Sequence, residues 1–365
     1  MKQKKHMIYT CVFAVLFFGL SVVCWLKPAD AFSATERRPL DQFPTLNAQT
    51  LANGSFMSKF EEYTLDQFPL RDEFRSIKAV VSKYVLGQKD NNGIYIADDY
   101  ISELEYPLNE KALQQAVNKF ASIYDTYMKD SDVQVYYAMI PDKNYFLAEQ
   151  NGYPALDYDA LRDKMHAGAD YMQYIDIFPL LSIEDYYKTD THWQQHCIVD
   201  VAEHLASAMG ANVNAEYTAQ TLDNPFYGVY YGQLGLPVDA DIITYLTNDT
   251  LDNCIVYDHQ NNKPMSMYDM DKAVDRDPYE MFLGGSLSVI TIENPNANTD
   301  KELIIFRDSF GSSIAPLLAE GYAKITLLDA RYLHQSMIGS YVTFDNQDVL
   351  FLHSTSVLNN ETAFK

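Results

Sequence analysis

Leu303-Ile304-Ile305-Phe306-Arg307-Asp308-Ser309-Phe310-Gly311-Ser312-Ser313 decides the fold. Leu303 to Phe306 is a short apolar run that reads as a buried strand, and Ser312 to Glu320 reads as a helix ended by Gly321. A strand that opens directly into a helix places Ser309 at the carboxyl edge of a sheet, where open α/β folds bind ligands. The start of the following helix offers unpaired N–H groups that favour developing negative charge. Gly311 is expected to let the backbone approach a substrate closely. The same tripeptide equally suits a serine that only caps the helix.

Outward from this stretch the rhythm is α/β. Glu110 to Met128 and Tyr158 to Ala169 carry helical spacing. Val133 to Ile140, Tyr174 to Ile177, Leu287 to Ile292, Ile325 to Leu328 and Val349 to Leu352 read as strands. A further helix is expected from about Trp193, with the apolar stripe Ile198, Val201, Ala202, Leu205 and Met209, ending at Gly210. Strands alternating with helices imply a parallel sheet with helices on both faces. Residues 32–90 read as an extended lead-in with a short helix, and residues 91–365 as the α/β domain. Residues 213–285 are rich in Tyr, Asn, Asp and Gly, and are expected to be an insertion of short strands beside a substrate cleft.

A nucleophilic serine needs a base. Among the histidines beyond the leader, His192 in Thr189-Asp190-Thr191-His192-Trp193 is best placed. Asp190 two residues earlier can reach Nδ1, fix the tautomer and leave Nε2 for Ser309. Two other readings stand beside it. Asp190 could be a helix cap, or Asp190, His192 and His196 could hold a metal, although the HExxH glutamate is absent. Lys143 and Arg307, next to strand ends, are candidates for meeting an anionic sugar. Tyr227, Tyr230 and Tyr231 are candidates for stacking on sugar rings, with packing roles as the alternative.

The compartment is set by the first residues. Lys2, Lys4 and Lys5 precede the uncharged run Met7 to Leu26, whose twenty residues cover about 30 Å at helical rise. The basic flank stays inside, so the body is expected on the extracytoplasmic side. The run is longer than a signal-peptide core, which favours an anchor, while Ala29-Asp30-Ala31 has the form of a cleavage site. Residues 1–31 are therefore an anchor or signal segment. The formal net charge is −23, and the first 28 residues hold four lysines and no acid, so the body is more acidic still. Such a surface excludes nucleic acid as a partner. Of the four cysteines, Cys197 and Cys254 lie in the body and are either one disulfide or two buried thiols.

Tyr186-Tyr187-Lys188-Thr189-Asp190-Thr191-His192-Trp193 resembles the signature of the DHHW family of SGNH-hydrolase-like proteins, and the D-x-H segment of the alginate O-acetyltransferases. Asp308 to Ser313 and Thr326 to Tyr332 resemble the serine segment of the same group. So do Glu36 to Leu40, Asp66 to Asp72 and Ile140 to Lys143, and the likeness spans about residues 36 to 360. The family name carries a His where Thr191 stands here. The resemblance implies a flavodoxin-like SGNH core, with Ser309, His192 and Asp190 as nucleophile, base and orienter. It also implies acyl-ester chemistry without a cofactor: acetyl transfer to a secreted or cell-wall polysaccharide, beside a multispanning membrane O-acyltransferase as donor. A deacetylating esterase with the same triad is one alternative, and a catalytically silent polysaccharide-binding protein another.

Overall fold

The computed structural model describes residues 2–33 and 35–364. They fall into two compact units. One comprises the chain up to Asn92 together with Tyr231–Pro237, and the other comprises Gly93–Tyr230 and the chain from Val238.

The first unit opens with the helix Lys2–Leu26. Its span Lys4–Leu26 has mean hydropathy 2.4 and no buried part, so it is long and apolar enough to cross a membrane. The single short helix expected after it is in fact three, Ala48–Ala52, Ser55–Asp66 and Arg71–Val80. Asn47 caps the first and Pro69 separates the last two. Asp66 is buried and accepts from the Arg38 guanidinium and the Asp41 N–H. Gln67 accepts from the Asp30 N–H and donates to the carbonyls of Asp30 and Asp41. These two side chains tie the lead-in to the helices.

The second unit is an α/β domain built on one eight-stranded sheet. In spatial order the strands are Lys263–Met265, Ile255–Asp258, Val289–Glu293, Lys324–Leu328, Glu302–Arg307, Asp348–Ser354, Gln134–Ile140 and Gln173–Tyr174. The last five run parallel. Side-chain alternation assigns the two faces. Tyr136, Ala138, Ile140, Leu303 and Ile305 pack in one core with the helices Val199–Ala208 and Gly311–Leu318. Val135, Tyr137, Met139, Ile304 and Phe306 pack in the other with Glu110–Tyr127 and Tyr158–Gly168. The sheet is buried on both sides, as parallel strands require.

The first three strands are antiparallel to their neighbours; two of them lie in the stretch read as an insertion, so only Val289–Glu293 departs from the expected parallel sheet. Only residues 294–301 link Val289–Glu293 to Glu302–Arg307. A parallel crossover needs roughly a dozen residues or more, so the chain reverses instead. The expected insertion is also less separate than its composition suggests. Thr218–Thr221 pairs with Thr244–Thr247 as a small sheet, but Ile255–Asp258 and Lys263–Met265 extend the main one.

Candidate active site

The serine strand ends at Arg307, and the helix Gly311–Leu318 begins within the next turn. Asp308 closes that turn. Its Oδ1 accepts from the Phe310 N–H, and its Oδ2 accepts from the backbone and hydroxyl of Ser354 at the end of the neighbouring strand. Ser309 is left partly exposed at the carboxyl edge of the sheet. The amides of Phe310, Gly311 and Ser312 are all taken by Asp308 and Ser309, whereas the Ser309 N–H donates to no protein acceptor among the described residues.

Ser309 Oγ lies 2.7 Å from His192 Nε2, and His192 Nδ1 lies 2.6 Å from Asp190 Oδ1. The carboxylate can only accept, so Nδ1 carries the proton and Nε2 is free to accept from the serine. The second Asp190 oxygen accepts from the Val229 N–H at 2.9 Å, and the carboxylate is almost fully buried. A buried carboxylate whose two oxygens both accept hydrogen bonds is held in one orientation.

The segment that carries these groups is not helical. The expected helix begins at Val199, after a short 3₁₀ turn at Gln195–Cys197, because residues 185–194 fold back on themselves. Tyr186 pairs with Trp193, Tyr187 N–H donates to the His192 carbonyl, and Gln194 N–H donates to the Asp185 carbonyl. The carbonyls of Tyr187, Lys188 and Asp190 each accept from Lys143 Nζ, at 2.7, 2.9 and 3.0 Å. Tyr230 N–H takes the Thr189 carbonyl. Asp241 accepts from the amides of Lys188 and Thr189 and from the Thr189 hydroxyl. These bonds hold the loop in place at both ends of Asp190.

His192 itself lies between two rings. Tyr279 stacks on the imidazole with centroids 3.8 Å apart and planes at 9°, and Phe310 approaches at 4.9 Å. The Tyr279 hydroxyl and Trp193 Nε1 both meet Ser313 Oγ at 2.8 Å. Ser313 donates onward to the Phe310 carbonyl, so the histidine wall and the serine helix form one network. Burial pushes the Tyr279 phenol well above its ordinary range, so it stays a neutral donor.

The other expected contacts are placed differently. Lys143 is 2% exposed, and its three protons face the three carbonyls just described. Burial lowers its ammonium to about 7. It holds the loop and has no donor left for a sugar. Arg307 is fully buried and donates to the carbonyls of Gly285, Leu287 and Asp308, so it pins loops beneath the serine turn. Tyr230 is buried with its hydroxyl on Thr191, which makes it a packing residue. Tyr231 belongs to the first unit, where it lines a 580 Å³ hollow with Thr35, Asp72 and Glu73. Tyr227 is exposed. Gly311 faces Arg307, not the open edge: a Cβ there would stand 2.6 Å from Arg307 Cβ.

Among the described residues no three His, Cys, Asp or Glu side chains are grouped to hold a metal. All four cysteines are free thiols. Gly228, Val229, Asp241 and Tyr279 were missed by sequence reasoning. They lie in or near the stretch read as insertion, and no motif marks a backbone donor or a stacking ring.

No protein-family model matches the chain, and no curated protein matches it by sequence. Solved structures do. A DHHW family protein from Eubacterium siraeum aligns with TM-score 0.59 at 21% identity, over 75% of this chain and 94% of that one. Bacillus cereus PatB1, in a structure with a sulfonyl adduct, aligns with TM-score 0.56 at 20% identity, over 74% of this chain and 97% of that one. A second PatB1 structure gives the same score over 75% and 99%. The chain has the α/β fold of the DHHW family protein and of PatB1, the fold that the sequence resemblance implied.

Proposed function

We propose that this chain is a membrane-tethered, extracytoplasmic acyl-ester enzyme that transfers an acetyl group through Ser309 to a polysaccharide hydroxyl. The observation that carries the reading is the unbroken line from Ser309 Oγ through His192 to an Asp190 carboxylate that is itself fixed by the Val229 N–H. The apolar helix before the body supports the tether.

In this reading Ser309 Oγ attacks the carbonyl carbon of an acetyl donor while His192 Nε2 takes the hydroxyl proton. The imidazolium is stabilised by Asp190 and by the π face of Tyr279. Negative charge on the carbonyl oxygen meets the unused Ser309 N–H and the positive end of the Gly311–Leu318 helix. The donor's leaving group departs with the proton from His192, and acetyl-Ser309 remains. A sugar hydroxyl then gives its proton to His192 and attacks the acetyl carbon, which restores the serine and forms the sugar ester. Water in place of the sugar gives deacetylation or simple hydrolysis.

The test is the full chain in detergent with p-nitrophenyl acetate, run beside Ser309→Ala and His192→Ala, with and without an acceptor polysaccharide. Turnover lost in both variants, with acetate moved onto the acceptor, is expected. Equal turnover in all three proteins would refute the assignment, and acetate released only to water would favour the esterase.

A further inference from the structure

Large apolar side chains are exposed in an uneven way. Between Phe43 and Leu86 the exposed ones include Phe43, Leu46, Leu51, Met57, Leu65 and Leu70. Among the described residues of this stretch the buried apolar side chains are Ala79 and two prolines outside the helices, Pro44 and Pro69. The helices of the first unit therefore do not bury their apolar faces against one another. Phe43, Phe56, Phe60 and Tyr63 instead form a cluster of rings with centroids 5.4 to 6.3 Å apart. Phe43 remains 59% exposed at its rim. An exposed patch of this kind marks a surface that is covered in use.

The depth of that patch is fixed by the chain. The membrane-length helix ends at Leu26. Cys24, Trp25 and Lys27, at that end, wall a 280 Å³ hollow together with Phe43, Phe60 and Tyr63. Asp30, four residues on, is held to Gln67 at the end of the Ser55–Asp66 helix. Four residues of extended chain span at most about 14 Å. If the helix crosses a bilayer, the ring cluster sits where the helix leaves it. Aromatic rings with water on one side and hydrocarbon on the other favour that depth.

We propose that the Phe43–Phe56–Phe60–Tyr63 cluster, with Met57 on the same helix, is a lipid-facing collar that rests in the headgroup layer of the outer leaflet around the exit of the Lys2–Leu26 helix. The inference rests on the membrane-anchor reading. The occupant is the phospholipid interface itself: residues 43–86 carry basic and acidic side chains in equal number, which favours neither anionic lipid nor a strongly charged protein partner. Apolar contact and aromatic preference supply the binding, as for other helices that lie in the interface.

Full chain in phosphatidylcholine vesicles tests it, with bromine placed either near the glycerol end or near the methyl end of the acyl chains. The background is Trp25→Phe. Trp193 is fully buried and stays as a constant signal. Reporters are Leu26→Trp, for the anchor, and Phe43→Trp and Met57→Trp, for the collar. Expected is quenching of the Phe43→Trp and Met57→Trp emission by about twofold with the shallow bromines and little with the deep ones, as for groups in the interface. Two results overturn the collar while leaving the anchor: Leu26→Trp quenched, with the collar reporters quenched only by aqueous iodide, or with the collar reporters quenched by neither. The first means water covers the patch, and the second means protein does, such as a second copy. Leu26→Trp untouched by either bromine position overturns the anchor reading and the collar with it.

Discussion

Gly228→Ala isolates the orienting role given to Asp190. A Cβ at residue 228 would stand 2.3 Å from Asp190 Cβ, 2.4 Å from its Cα and 2.5 Å from its backbone nitrogen. Ordinary contact begins near 3.4 Å, so the two segments must part by about 1 Å. Asp190 Oδ1 now lies 2.6 Å from His192 Nδ1, and the same displacement takes it beyond hydrogen-bond reach, about 3.2 Å. The adjacent Val229 N–H, which holds Oδ2, moves with the glycine. A misplacement of 1 Å in a catalytic constellation costs about 10²-fold in rate. The assay is steady-state acetyl ester turnover, with thermal unfolding measured on the same preparations. A fall in kcat of about 10²-fold, with KM little changed and the unfolding midpoint within a few degrees of wild type, is expected. A folded Gly228→Ala enzyme within about threefold of wild type would refute the idea that Asp190 must be held in this register.

Lys143→Met removes the ammonium that the buried carbonyls of Tyr187, Lys188 and Asp190 share. Denaturant unfolding should show a loss of about 3 kcal/mol, and ester turnover should fall with it; unchanged stability would contradict the clamp. Tyr279→Phe keeps the ring on His192 and removes one hydrogen bond to Ser313, so its effect should be a few-fold, whereas Tyr279→Leu removes the stack and should lower kcat by about ten-fold or more. Equal rates for the two variants would show that the ring does not matter. His353 is buried between Phe120 and Phe364 with neither ring nitrogen hydrogen-bonded, and burial lowers it from 6.5 to about 4. The unfolded chain therefore binds the proton first as pH falls, and stability is lost between pH 6.5 and about 4, by roughly 3 kcal/mol in all. His353→Phe should flatten that acid limb in urea titrations at several pH values, and an unchanged limb would assign the sensitivity elsewhere.

Much of the architecture was legible because burial on both faces leaves a plain mark. Leu303 to Phe306 and Val135 to Ile140 are short continuous apolar runs, as strands buried on both faces require. The meeting of Ser309 with His192 and Asp190 could be anticipated from residue chemistry at the ends of such elements. What holds them could not. Lys143 and Arg307 read in sequence as cations for an anionic sugar, yet both are buried on backbone carbonyls, and a carbonyl has no letter in the sequence. Gly228 matters for the space it leaves beside Asp190, and Tyr279 for a stacking partner 87 positions away. The helix expected from Trp193 failed for the same reason. Its periodicity was correct from Ile198 onward, but Trp193 and Gln195 bond to Ser313, and these long-range contacts override local preference for the preceding residues. The antiparallel edge followed from loop length, which strand patterns do not report.

The most direct measurement asks which atom becomes acylated. The full chain, wild type and Ser309→Ala, would be treated with a sulfonyl fluoride, then with an activated acetyl ester, and each adduct located by peptide mass spectrometry. A sulfonyl fluoride loses fluoride to an activated serine hydroxyl, which makes that reagent a natural first choice. A single adduct on the peptide containing Ser309, formed by both reagents, blocked by His192→Ala and absent from Ser309→Ala, is the expected result. An adduct on any other residue, or equal labelling of the Ser309→Ala chain, would contradict the assignment of Ser309 as the nucleophile.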